Sequence, residues 1–111
     1  MPGAQSSIVT ERENEIPLRM GLRIRYRRSE PPPPYSYAVT LELVERGEWR
    51  TVRLWDNADG LNDHHEHPYT RHGGKQPPTN LQFASPNEAM AAAISEAKRR
   101  AERIVRQWRA S

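Results

Sequence analysis

Cysteine is absent from this 111-residue chain. That excludes a disulfide framework, a thiolate nucleophile and a thiolate zinc site, and it makes the cytoplasm the expected compartment. Long hydrophobic runs are missing too. Hydrophobic residues make up 35% of the chain, and no stretch approaches the ~20 consecutive apolar residues that a membrane-spanning helix needs. The opening segment MPGAQSSIVTERENE has no apolar signal core and carries three glutamates, so neither export nor organelle import nor a membrane partner is expected. With so little apolar material, a core must come from a few well-patterned segments.

Charge is plentiful but segregated. The formal net charge of +3 conceals +4 over residues 19–30 and −4 over residues 31–66, with +3 again over residues 86–111. Basic surfaces flanking an acidic, histidine-rich stretch suit a polyanion or an acidic protein segment as partner.

Periodicity supplies the elements. Residues 1–18 lack sustained periodicity and reach Pro17; they are expected to form a flexible N-terminal arm, leaving 19–111 as a single α+β domain. From Met20, apolar Leu22, Ile24 and Tyr26 alternate with Arg23, Arg25 and Arg27, the period-two signature of a half-buried strand. Pro31 to Pro34 form a stiff connector with no ladder donors. A second strand follows from Tyr35 to Leu43, then a turn at Glu45–Glu48 with Gly47 suited to positive φ, and a third strand from Trp49 to Trp55. In that third strand Val52 and Leu54 are expected to face the core, with Trp49, Thr51, Arg53 and Trp55 on the other side. Asn80 to Ala84 suggests a short fourth strand. The strongest local signal is Ser85-Pro86-Asn87-Glu88: an N-cap serine, proline at the first helical position and an S-x-x-E capping box. The helix behind it carries an apolar stripe of Met90, Ala93, Ile94, Ala97, Ala101, Ile104, Val105 and Trp108. The fold class that follows is α+β, an antiparallel β-meander of three to four strands packed against one long C-terminal α-helix.

Chemistry concentrates in RLWDNADGLNDHHEH, residues 53–67, which holds three of the chain's four histidines. Asp56-Asn57-Ala58-Asp59-Gly60 reads as a structured turn, with Asp56 or Asn57 accepting nearby backbone N–H groups. Beyond it, His64, His65 and His67 are candidates for proton transfer, as cleavage of RNA by its own 2′-hydroxyl requires, with Asp56 or Asp59 orienting one of the rings. The same residues offer a second chemistry. In an extended segment His65 and His67 project to one side, near enough to share a divalent cation, with Asp56, Asp59, Asp63 or His72 as further ligands. Arg23, Arg25, Arg53 and Lys75 are the candidate phosphate contacts, and Trp55 is either a base-stacking or a packed tryptophan.

The order of strand, proline-broken connector, hairpin, W-D-N-A-x-G turn, histidine cluster, Gly-Lys turn and serine-capped helix resembles the small TumE-type toxins of prokaryotic toxin–antitoxin systems. Arg53, Trp55, Asp56, Asn57, Ala58, Gly60, His64, His65, His67, Gly74 and Lys75 carry the likeness, which covers roughly residues 20–108. It implies an intracellular toxin encoded with a cognate antitoxin and directed at RNA or translation, most simply as a small ribonuclease. This chain has Asp59 where members of that family commonly carry histidine. A non-enzymatic interaction or metal-binding module, built on the basic helix and the proline-rich connector, is the competing expectation.

Overall fold

The computed structural model describes residues 11–30, 32, 35–58 and 63–111. They form an antiparallel sheet with one helix laid across it. The strands are β1 (Glu11–Arg19), β2 (Leu22–Ser29), β3 (Tyr37–Glu45), β4 (Glu48–Asp56), β5 (His64–Thr70), β6 (Gly74–Lys75) and β7 (Thr79–Leu81), and the helix is α1 (Pro86–Arg109). Neighbours in sequence are neighbours in the sheet from β1 to β6, while β7 pairs with β5. This is the expected α+β meander and helix, with more strands than the sequence pattern indicates.

The expected arm is corrected over residues 11–18, which belong to β1; residues 1–10 lie outside the described residues. Two things hold this polar strand in place. Ile16 and Leu18 pack against the core, and Glu13 and Glu15 reach Arg25 and Arg23 of β2 at 2.6 and 3.1 Å. Opposite charges on facing strands substitute for apolar alternation. Pro17 is tolerated because β1 is an edge strand among the described residues. The expected proline connector, Pro31 to Pro34, falls mostly outside the described residues. Its ends are tied together by Ser29 N–H donating to the Ser36 carbonyl at 2.9 Å and Ser36 N–H to Ser29 Oγ at 3.0 Å. The β3–β4 turn uses Arg46 and Gly47 at φ of 54° and 80°, the left-handed pair of a tight type I′ hairpin.

One face of the sheet, with Leu22, Ile24, Val39, Leu41, Leu43, Val52 and Trp55, packs on Ala93, Ala97, Ala101, Ile104, Val105 and Trp108 of α1. The alanines let helix and sheet approach closely, and the larger residues fill the C-terminal half. Ser85 caps α1 by accepting from Glu88 N–H at 3.2 Å, while the Glu88 carboxylate accepts from Ala84 N–H at 3.3 Å.

The facing of β4 differs from simple alternation. Leu41 pairs with Arg53 and Glu42 with Thr51, so Val52 is an extra residue in the ladder, a β-bulge. A bulge inverts side-chain parity beyond it. Arg53 and Trp55 therefore join the helix side, and Trp55 is 1% exposed within the core; Leu54 and Asp56 go to the far side. No described helix is long and apolar enough to cross a membrane.

Candidate metal centre

The histidine cluster lies on strand β5. β5 pairs with β4 so that Asp56 faces His65, Trp55 faces Glu66 and Leu54 faces His67. Alternation then splits the cluster. His65 and His67 share the far side of the sheet with Asp56, and His64 and Glu66 turn toward the helix.

His64 is thereby removed from the expected catalytic group. It is 1% exposed, stacked on Tyr37 and edge-on to Phe83, each at 5.7 Å between ring centroids. Its Nδ1 lies 3.0 Å from the Tyr37 hydroxyl. Burial holds the imidazole below its usual pKa, so it is neutral. Burial, and then the negative charge of Asp56, push the Tyr37 phenol up to about 12, so its O–H is available to donate to that nitrogen. This is a core pair.

Glu66 anchors the helix instead. Its carboxylate receives Arg53 at 2.7 Å and Arg100 at 2.9 Å, joining β4, β5 and α1. Arg53, an expected phosphate contact, is consequently committed on the helix side, with its guanidinium pKa lowered by burial despite the nearby carboxylate. Arg23 and Arg25 do lie on the far side, where both are neutralised. Arg23 pairs with Glu42 at 2.8 Å and stacks over Trp49 at 3.8 Å; Arg25 pairs with Glu13. Lys75 is exposed and pairs with Tyr69 in the β5–β6 ladder, which puts it on the side of His65 and His67.

What converges is Asp56, His65 and His67. One oxygen or nitrogen from each lies within 4.8 Å of the others, and all three residues are buried. Asp56 and His65 are opposite one another at the end of the β4–β5 ladder, and His67 is one alternation further along. The two imidazoles meet edge to face, 5.8 Å apart. Their orientation is fixed from behind. His67 Nδ1 lies 3.0 Å from the Gln76 carbonyl. A carbonyl can only accept, so Nδ1 carries a proton and Nε2 is the ring nitrogen directed at Asp56 Oδ1, 3.8 Å away. His65 Nε2 lies 3.0 Å from the Asp63 carboxylate, which by the same argument places a proton on Nε2. Backing a ring nitrogen with a carbonyl or carboxylate is how metal-ligating histidines are oriented. At 3.8 Å the His67 Nε2 and Asp56 Oδ1 atoms are too far apart for a direct hydrogen bond.

Asn57 prepares this arrangement. It is 1% exposed, accepts from Tyr37 N–H at 2.9 Å and donates to the Tyr35 carbonyl at 3.0 Å, continuing the β3–β4 ladder one residue past Asp56. Of the remaining expected residues, Asp59 lies outside the described residues, as does Gly60. His72 sits in the β5–β6 turn, lining a surface cavity with Glu45, Arg50 and Arg71. Asp63 backs His65.

Comparison of the chain with protein-family models, with curated proteins and with solved structures finds no match.

Proposed function

We propose that this protein binds a divalent transition-metal ion through Asp56, His65 and His67, and uses it to hydrolyse phosphodiester bonds in RNA. The observation that carries the reading is the convergence of one carboxylate and two tautomer-fixed imidazoles within 4.8 Å. Nitrogen and oxygen donors of this kind suit zinc, manganese or iron, and three protein ligands leave coordination positions open, as in catalytic rather than structural sites. With metal–ligand distances near ~2.1 Å, a small contraction of the three side chains would complete the set. An ion held by Asp56, His65 and His67 would supply Lewis acidity toward a phosphoryl oxygen and a bound water.

The chain's own residues do the rest. Gln76 and Asp63 hold the ligand rings in their tautomers, and Asn57 fixes the end of β4. Tyr69 lies near enough for the Asp56 charge to help burial raise its phenol pKa; it stays protonated at neutral pH and keeps a hydroxyl donor beside the site. RNA as substrate rests on the likeness to TumE-type toxins and on the exposed Lys75 of the same sheet side. That likeness also supplies the setting, a prokaryotic cytoplasm with a cognate antitoxin as protein partner. The exposed basic side of α1, with Lys98, Arg99, Arg103 and Arg106, suits an acidic segment of such a partner.

The test uses untagged protein purified without chelator. Elemental analysis is expected to find about one equivalent of a transition metal, lost in His67→Ala, together with RNA cleavage that stops on chelation and returns with the ion. Metal retained by His67→Ala, or cleavage indifferent to chelator, overturns the reading.

A further inference from the structure

Register places one more cation beside the candidate centre. Reading across the far side of the sheet, Arg27 of β2 pairs with Ala38 of β3, Ala38 with Asp56 of β4, and Asp56 with His65 of β5. These four residues share one cross-strand row with Glu13 of β1, which pairs with Arg27. Arg27 and Asp56 are two strand spacings apart, about 9–10 Å between backbones, and the only side chain between them is a methyl group. The result is a groove rather than a packed surface. A cavity of about 240 Å³ lies there, lined by Arg27, Ser36, Ala38, Asp56 and Asn57 among others.

In the next row Arg25, Thr40, Leu54 and His67 fill the equivalent space with larger side chains. Arg27 is the exposed arginine of the strand, whereas Arg23 and Arg25 are half-buried. An ion at Asp56 and a guanidinium on the opposite wall would bracket a negatively charged group of about phosphate size. A planar guanidinium suits a phosphate because two N–H groups can meet two of its oxygens.

From this row we infer that the Ala38-floored groove is a phosphate subsite for single-stranded RNA, with Arg27 as its anion-holding residue and Asp56, the carboxylate of the metal-binding triad, on its other wall. This inference deepens the function proposed above and rests on it for the identity of the second wall. Arg27 acts by holding a phosphate adjacent to the ion, a contact that positions the chain without reading its sequence. Ala38 acts by being small.

The experiment measures binding of a fluorescent single-stranded RNA, at low temperature and with the RNA checked intact by gel after each titration, to the full-length metal-loaded protein by anisotropy, with metal content determined in parallel. Arg27→Ala is expected to weaken binding roughly ten- to a hundredfold, the worth of a charge-assisted hydrogen-bonded contact, and to lower the salt slope by about one. Arg27→Lys recovers part of the loss. Ala38→Leu, which fills the groove without changing charge, weakens binding comparably and keeps its metal. Arg109→Ala, at the exposed C-terminal end of α1, leaves binding unchanged. Equal losses in Arg27→Ala and Arg109→Ala, unaltered binding in Arg27→Ala and Ala38→Leu, or no saturable binding by the parent protein each overturn the subsite. If binding depends on Arg27 and Ala38 while the parent protein carries no metal, the subsite stands and the hydrolase reading falls.

Discussion

The amide of Asn57 is a ladder rung made by a side chain. It accepts from Tyr37 N–H and donates to the Tyr35 carbonyl while 1% exposed, so Asn57→Ala strands both a buried donor and an acceptor. Leaving such groups unsatisfied costs roughly 1–3 kcal/mol each; urea unfolding is expected to show a loss of about 2–4 kcal/mol, and a change within the error of the measurement would remove Asn57 from this role. Tyr37, next to it, gives a pH signature. Its phenol is pushed up to about 12 by burial, with the Asp56 charge second. Because the folded value lies above the unfolded one of about 10, the associated stability is intact below pH 10 and is lost as the pH rises through 12. A tyrosinate absorbance titration should show one late phenol that Tyr37→Phe removes. The site was partly legible at this scale. Residue types and spacing singled out Asp56, His65 and His67, and their extended-segment geometry put the two rings on one side. That His64 belongs to the core was not legible, because its fate depends on Tyr37 and Phe83, distant in sequence.

Elements are joined here by ion pairs as much as by apolar contact. Glu66 alone links β5 to Arg53 of β4 and Arg100 of α1, and each of these side chains is 11–19% exposed. Removing the shared carboxylate leaves two guanidinium groups facing each other in a partly dry space. Breaking a fully buried pair costs about 3–5 kcal/mol. Residual solvent here reduces that, and Glu66→Ala is expected to lose roughly 2 kcal/mol, read as a lower urea midpoint. If Glu66→Ala unfolds at the parent midpoint, the network contributes nothing to docking the helix. The helix itself was the most legible element, since its cap, first-turn proline and apolar stripe are all local signals. Strand β1 was the least. Its order comes from carboxylates that face the arginines of β2, a complementarity that becomes visible only once the two segments are paired. The β4 bulge was hidden for a related reason. One inserted residue exchanges the two sides, and nothing in Thr51-Val52-Arg53 announces where the insertion falls.

Across the whole molecule the sheet divides two tasks between its sides: α1 and the apolar residues make the core on one, and the triad with its arginine row occupies the other. The triad draws on β4 and β5 alone, with Gln76 from the segment after β6 behind His67. An ion bound there cross-links the strands that flank residues 57–63. Because the three donors come together only when β4 and β5 pair, the ion binds the folded chain and not the unfolded one, and mass action must raise stability. At an ion concentration a hundred times its Kd the gain is about 2.7 kcal/mol, which for a domain of this size corresponds to a rise in Tm on the order of 10 °C. Thermal unfolding of chelator-treated protein, with and without added zinc or manganese, should show that rise in the parent chain and neither in Asp56→Ala nor in His67→Ala. Arg106→Ala, remote from the triad, should keep it. An equal rise in all four proteins would mean that the ion is held elsewhere on the surface, and the division of labour between the two sides of the sheet would lose its chemical half.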